Sequence, residues 1–112
     1  MNKRIHTEQA PKAVGPYAPG VVSGDLLFVS GQTPLDPASG LLVEGGIRPQ
    51  SRRALQNVAA VIEAAGFRLE DTVKCSCFFM GLGQFAEFNE VYAEFFGRIL
   101  PARETVQVGR LP

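Results

Sequence analysis

The sequence predicts an α+β fold in which two helices pack on one face of a mixed β-sheet. Two segments carry apolar residues at helical spacing, five shorter ones have strand patterns, and helices alternate with strands in the second half. The predicted order is β-β-β-α-β-α-β, which leaves the other face of the sheet uncovered. Because an uncovered face with apolar side chains is typical of an interface, we expect a homo-oligomer. The 112 residues fit one domain, residues 1–112.

The N-terminal part of the chain predicts three strands. A short strand is expected over residues 3–6, and a hairpin has its strands at 21–23 and 26–30, around a tight Gly24-Asp25 turn. Glycine and aspartate suit this turn because both accept a positive φ at low cost. A loop rich in proline and glycine follows the hairpin.

Two amphipathic helices are expected, over residues 49–65 and 84–96, with a strand at 72–80 between them. In both helices, apolar side chains recur at steps of three and four residues, which places them on one stripe. Pro49 suits the first turn of the first helix, and Gly66 suits the left-handed position after its last turn. In the strand, apolar and polar residues alternate, so one of its faces is expected to be buried.

The last predicted strand, residues 103–108, has two faces of different polarity. Arg103 and Thr105 lie on a polar face, whereas Val106 and Val108 lie on the other. We expect the valines to face the helices. The polar face is then expected to line a wet cleft or a subunit interface.

Composition and charge exclude several classes of protein. The 11 basic and 11 acidic side chains cancel. This excludes a generally basic protein, the usual character of a nucleic-acid binder, and so disfavours a nucleic-acid partner, although a local basic patch stays open. No apolar run approaches the roughly 20 residues of a membrane span, and the N-terminus lacks a secretory pattern, so we expect no membrane partner and a cytoplasmic location.

His6, Cys75 and Cys77 are the only histidine and cysteines. Their spacing does not match a metal site, so we expect no metal.

The residue types single out four places for chemistry. Tyr17 lies in a loop bounded by glycine and proline, Gly31 follows a strand, Asn89 lies in an aromatic helix, and Arg103 begins the last strand. Each has a purely structural alternative: a packing ring, a bulge, a backbone-bonded amide and a surface ion pair. Residue type alone leaves these alternatives open.

The same positions belong to a series of short motifs that occur in order along the chain. The motifs are Gly15-Pro16-Tyr17, the stretch from Phe28 to Pro37, Asn57 with Glu63-Ala64-Ala65-Gly66, Asp71-Thr72-Val73-Lys74, Phe88-Asn89-Glu90-Val91-Tyr92 and Pro101-Ala102-Arg103. Together they resemble the Rid/YjgF family, nearly collinearly over residues 3–112. Members of that family also carry the labels L-PSP endoribonuclease and translation initiation inhibitor.

The resemblance implies a chorismate-mutase-like fold and a homotrimer, in which the sheets form a central barrel and clefts lie between subunits. It also implies hydrolysis of reactive 2-imino acids and enamines, such as 2-iminobutanoate, to 2-oxo acids and ammonia, with no cofactor. Two alternatives stay open. One is a small-carboxylate-binding or chaperone-like trimer with little catalysis, and the other is an endoribonuclease or translation inhibitor.

By resemblance, Arg103 is the catalytic arginine that binds the substrate carboxylate. A guanidinium suits this role because it grips a carboxylate through two parallel hydrogen bonds. The backbone of Gly31 is implied to contact the imine end of the substrate. The other residues are implied to shape the pocket: Ser30, Asn89, Thr105 and Tyr17 of the neighbouring subunit.

Two departures from the family pattern bear on catalysis. Thr105 stands where many relatives carry cysteine, so a hydroxyl replaces a thiol. Relatives also continue past the Arg110-Leu111-Pro112 found here into a final strand with a glutamate that positions the attacking water. Two alternatives stay open: either this chain is incomplete, or the protein lacks this strand. In the second case substrate binding would survive while hydrolysis weakens.

Overall fold

The computed structural model describes residues 1–112. Every predicted strand and helix is present, with boundaries within two residues of the expected ones, so the predicted order is confirmed. Neither helix combines the length and apolar character needed to cross a bilayer. The elements are β1 (Lys3–Ile5), β2 (Gly20–Ser23), β3 (Leu26–Val29), α1 (Ile47–Ala64), β4 (Lys74–Phe79), α2 (Phe85–Phe96) and β5 (Ala102–Gln107).

The first three strands form an antiparallel sheet in the order β1-β2-β3. The predicted hairpin is confirmed: Ser23 pairs with Leu26, and Gly24 has a φ of 59° in the turn. Helix α1 covers one face of this sheet, where Val61 is fully buried against Ile5 and other apolar residues. The burial of these side chains is what attaches α1 to the sheet.

The last two strands form a second, parallel sheet. Cys75 of β4 lies opposite Arg103 of β5, and Cys77 lies opposite Thr105. Parallel neighbours need a crossover connection, which α2 supplies. No backbone ladder joins this pair to the first sheet, so the α+β class is confirmed with its strands in two hydrogen-bonded groups.

A row of aromatic rings packs α2 against β4. The rings of Phe79 and Phe88 meet edge to face with centroids 4.6 Å apart. The row continues from Phe88 to Tyr92 at 5.5 Å and from Tyr92 to Phe96 at 4.9 Å. Aromatic pairs at these distances contribute about 0.5–1.5 kcal/mol beyond the burial of their area. The row therefore fixes the position of α2 over the parallel sheet.

The expectation that the valine face of β5 points toward the helices is wrong for Val106. The Arg103 side chain contacts the rings of α2, whereas Val106 is 41% exposed and pairs with Phe78 on the outer face. Parallel pairing explains the difference, because Arg103 and Thr105 share the face of their β4 partners, Cys75 and Cys77. The aromatic stripe of α2 covers that face and offers a cation a favourable surface.

Gly20 lies where α1 packs closely on the first sheet, with little room for an added methyl group. A Cβ there would lie 2.8 Å from Cγ1 of Val61 and 3.4 Å from the carbonyl oxygen of Phe28. We expect Gly20→Ala to destabilise the protein by about 1–3 kcal/mol, as overpacking does. The measurement is the urea midpoint at fixed protein concentration. Gly83→Ala is the control, since a Cβ there meets no atom within 4 Å. Equal midpoints for the two variants would contradict the packing described for α1.

Candidate functional site

Arg103 lies on β5 with its guanidinium beneath three rings of α2. Its Cζ is 4.7 Å from the ring centroid of Tyr92, 5.4 Å from that of Phe85 and 5.8 Å from that of Phe88. The spacing of these rings along α2 places them on one stripe of the helix. A cation over an aromatic face gains about 0.5–2 kcal/mol. The helix thus holds the guanidinium in place without neutralising its charge.

The guanidinium of Arg103 has no carboxylate partner in the chain. Glu104, its neighbour on β5, points to the opposite face, as the strand pattern predicts. There it accepts a hydrogen bond from Ser76 Oγ at 2.6 Å and lies 3.7 Å from Lys74 Nζ. These two contacts lower the pKa of Glu104. The other ion pairs use other cations: Arg48, Arg52 and Arg68. Arg103 therefore keeps its donors available for an anion from outside the chain.

Two groups near Arg103, Cys77 and Tyr92, have raised pKa values and hold their protons at neutral pH. Cys75 lies opposite Arg103 in the ladder, and Cys77 lies opposite Thr105. Burial raises the pKa of the Cys77 thiol to about 11, although the charge of Arg103 acts in the opposite direction. Burial also raises the pKa of Tyr92, whose hydroxyl is buried without a hydrogen-bond partner. One permanent positive charge thus stands among neutral thiol, hydroxyl and phenol groups.

A second group of candidate residues surrounds a small cavity. Tyr17 and Gly31 both line this cavity of about 40 Å³, as do Lys12 and Thr33. Neither the N–H nor the C=O of Gly31 takes part in a backbone hydrogen bond. A Cβ on Gly31 would meet no atom within 4 Å. Nothing inside the chain therefore requires glycine here, which is typical of a position approached closely by another molecule.

Ser30 connects the two sides of this cavity. Its hydroxyl donates a hydrogen bond to the carbonyl oxygen of Ala18 at 2.6 Å, and its N–H donates to that of Pro19 at 2.9 Å. Both bonds attach the loop that carries Tyr17 to the end of β3. The hydroxyl of Ser30 is therefore engaged in holding the loop.

The structure brings the predicted site residues together as two separate groups. Tyr17, Ser30 and Gly31 gather beyond the three-stranded sheet, whereas Arg103 and Thr105 lie on the parallel pair. The residues on the parallel pair and on α2 do not line the Tyr17 cavity. Among those on α2 is Asn89, which is partly buried and forms no side-chain hydrogen bond. Within one chain, the two groups do not form a common pocket.

The residues that surround the guanidinium carry no local sequence signal of this role. The aromatic stripe of α2 predicts core packing equally well, so Phe85 and Tyr92 gave no sign of a second role. Cys77 was considered only as a metal ligand, because its proximity to Thr105 depends on parallel pairing of distant segments. The alternation of inward and outward residues along both β4 and β5 was the sequence feature from which their shared face could have been predicted. No group of three or more His, Cys, Asp or Glu side chains is arranged to hold a metal ion.

Comparison with known proteins gives matches over nearly the whole chain. The Endoribonuclease L-PSP family matches residues 7–112. The 2-iminobutanoate/2-iminopropanoate deaminase of Salmonella typhimurium is 44% identical over 115 aligned residues, covering 100% of this chain and 89% of that protein. A solved structure from Thermotoga maritima has a TM-score of 0.98 and 46% identity, covering 100% of this chain and 88% of the other. The structure of Escherichia coli TdcF with bound serine has a TM-score of 0.93 and 42% identity, covering 98% of this chain and 88% of the TdcF chain.

The raised pKa of Cys77 predicts a pH-dependent contribution to stability. The folded chain holds the thiol proton more tightly than an unfolded chain, because burial raises the pKa from 9.0 to about 11. The contribution is therefore complete below pH 9 and is lost as the pH rises toward 11. Cys77→Val has similar volume and no such proton, so it should lose less stability over this range. Urea midpoints measured across the range test this, and equal losses in both proteins would contradict it.

Proposed function

Because the chain belongs to the Endoribonuclease L-PSP family, which includes the Rid/YjgF proteins, we propose that it hydrolyses reactive 2-imino acids and enamines to 2-oxo acids and ammonia. The observation that carries the proposal is the unpaired guanidinium of Arg103. A 2-imino acid has one permanent anionic group, its carboxylate. Two parallel hydrogen bonds from a guanidinium would fix both the position and the direction of that group.

Two relatives support this choice of substrate. The Salmonella typhimurium protein is named as a 2-iminobutanoate/2-iminopropanoate deaminase, and TdcF was solved with serine, which also carries a carboxylate. Such imines are released by pyridoxal-phosphate enzymes. We also propose the cytoplasm as the location of the reaction.

The proposed reaction needs positioning more than a reactive side chain. The oxygen of one water bonds to the carbon of the protonated imine, its two protons pass to nitrogen, and the C–N bond breaks to give the 2-oxo acid and ammonium. The free carbonyl of Gly31 is suited to accept a hydrogen bond from the iminium N–H, which stabilises its positive charge. Thr105 offers a hydroxyl on the same strand face as Arg103. Holding the substrate between these groups supplies acceleration through orientation, with no cofactor.

We also propose that the site is completed between the subunits of a homotrimer. Only 12 of the 112 residues are buried in the single chain. The sheet faces away from the helices expose large apolar side chains, which is typical of an interface. These side chains include Leu26, Phe28, Phe78 and Val106. Association through these faces would allow Gly31 and Tyr17 of one subunit to approach Arg103 of the next.

A second candidate function is a small-carboxylate-binding or chaperone-like trimer with little catalysis. The protonated state of Cys77 and Tyr92 favours it, because neither group is then a base that activates water. Endoribonuclease or translation-inhibitor activity is the third candidate, and the family description supports it. The net charge of zero weighs against that candidate, since RNA affinity depends on phosphate contacts.

Substitution of Arg103 tests the proposed activity. Threonine dehydratase generates 2-iminobutanoate, semicarbazide competes for it, and the protein should accelerate release of 2-oxobutanoate. We expect Arg103→Ala to lower kcat/KM about 100-fold, because two charge-assisted hydrogen bonds are lost. The kcat/KM of Arg103→Lys should lie between those of the unsubstituted protein and Arg103→Ala, since lysine keeps the positive charge and loses the pair of parallel hydrogen bonds.

The control for this experiment is Arg98→Ala, which removes an exposed arginine that forms no ion pair. Full activity of Arg103→Ala would contradict the proposed role. An inactive unsubstituted protein that still binds 2-oxobutanoate would support the binding candidate. Salt-dependent cleavage of RNA would support the third candidate, endoribonuclease activity.

Mixing two inactive variants tests whether the site spans two subunits. Light scattering should give the mass of three chains. Gly31→Val should fold, because a Cβ at this position meets no atom within 4 Å, yet it should block the pocket. Co-refolded Gly31→Val and Arg103→Ala should recover about a quarter of the unsubstituted activity, since random trimers pair two intact half-sites with that frequency. A monomeric mass, or no recovery on mixing, would contradict the shared site.

A further inference from the structure

We propose that Asn57 of α1 is a positioning residue that fixes the loop presenting Gly31 at the pocket. This inference depends on the proposed function for its catalytic readout. The side chain of Asn57 is 0% exposed, although it is polar. Its Nδ2 donates hydrogen bonds to the carbonyl oxygens of Thr33 and Leu35, both at 3.0 Å. Its Oδ1 accepts one from Arg53 Nε at 3.1 Å.

The three partners allow only one orientation of the Asn57 amide. An arginine side chain only donates hydrogen bonds, and a backbone carbonyl only accepts them. The amide oxygen must therefore face Arg53, and the amide nitrogen must face the loop. A carboxylate at this position would keep the bond to Arg53 and would turn an acceptor toward two carbonyl oxygens. The site thus requires asparagine for its donors as well as for its shape.

The loop held by Asn57 is the one that forms the cavity. Thr33 and Leu35 both line the cavity beside Gly31 and Tyr17. Gly31 lies two residues before Thr33, has no backbone hydrogen bond of its own and meets no packing neighbour at its Cβ position. The bonds from Asn57 to Thr33 and Leu35 are therefore the hydrogen bonds from α1 that lie nearest in sequence to Gly31 and hold its carbonyl group in place.

Gln50 provides a matched comparison on the same helix and the same loop. Its Nε2 donates to the carbonyl oxygen of Val43 at 3.0 Å. This bond also joins an amide of α1 to the loop backbone, but Val43 does not line the cavity. The N–H of Val43 donates to the carbonyl oxygen of Pro34 at 2.9 Å, so the Gln50 bond reaches the segment of Thr33 and Leu35 only through this second bond. Its loss should therefore displace Gly31 less than loss of the Asn57 bonds.

The test compares Asn57→Asp with Gln50→Glu, because both replace an amide donor with a carboxylate of the same shape. In the 2-iminobutanoate assay, Asn57→Asp should lower kcat about 10- to 100-fold, as misplacement of a reacting group by about 1 Å does. Its KM should change little, because Arg103 still binds the carboxylate. Gln50→Glu should change both constants much less, because its bond reaches this segment only through Val43. Unchanged kcat in Asn57→Asp, or an equal loss in Gln50→Glu, would overturn the proposal.

Two further measurements keep the test decisive. Arg53→Ala removes only the bond to the amide oxygen of Asn57. It should therefore lower kcat by a smaller factor than Asn57→Asp does. If Asn57→Asp does not fold, the kcat of Arg53→Ala tests the proposal in its place. Hydrogen exchange of the peptide spanning residues 30–36 should speed up in Asn57→Asp and Arg53→Ala and change less in Gln50→Glu. This exchange does not depend on activity. An inactive unsubstituted protein would therefore contradict the proposed function, whereas unchanged exchange in Arg53→Ala and Asn57→Asp would contradict the role of Asn57.

Discussion

The cation–π contact between Arg103 and the rings of α2 holds a positive charge in place and leaves it unneutralised. A carboxylate partner within the chain would bind the guanidinium more strongly, but it would occupy the donors that a substrate needs. Aromatic faces offer attraction without hydrogen-bond acceptors of comparable strength. The proposed chemistry depends on this arrangement, because an imino acid presents a carboxylate as its one fixed recognition group.

The helix layer holds both groups of candidate residues. Helix α2 covers Arg103, and α1 holds the loop of Gly31 through Asn57. The two helices are joined on their exposed side by ion pairs, such as that between Arg52 and Glu94 at 2.8 Å. Exposed pairs of this kind add little stability. They join the helix above the guanidinium to the helix that carries Asn57.

The two hydrogen-bonded sheets turn their outer faces away from this helix layer. Phe78 and Val106 are neighbours on the outer face of the parallel pair, and Phe28 projects from the corresponding face of β3. A single chain leaves these side chains in water, which is unfavourable for apolar surface. The same surface that limits burial in one chain is the surface through which the proposed trimer would form. Completion of the site and covering of the apolar faces are then consequences of one association.

The sequence determined the type and order of the elements, the Gly24 turn, and the end of α1, where Gly66 has a φ of 80° as its position predicts. These features depend on neighbours within a few residues, so local periodicity and turn chemistry record them. The sequence also singled out Arg103 and Gly31, through motifs that occur in a fixed order.

Only the tertiary structure decided which face of β5 points inward. Alternation separates Arg103 and Thr105 from Val106, but the direction of each face depends on the parallel partner β4 and on the helix above it. The role of Asn57 has the same origin, because its bonds to Thr33 and Leu35 join segments more than 20 residues apart. Contacts between distant segments leave no period in the sequence, and the functional placement of these residues rests on such contacts.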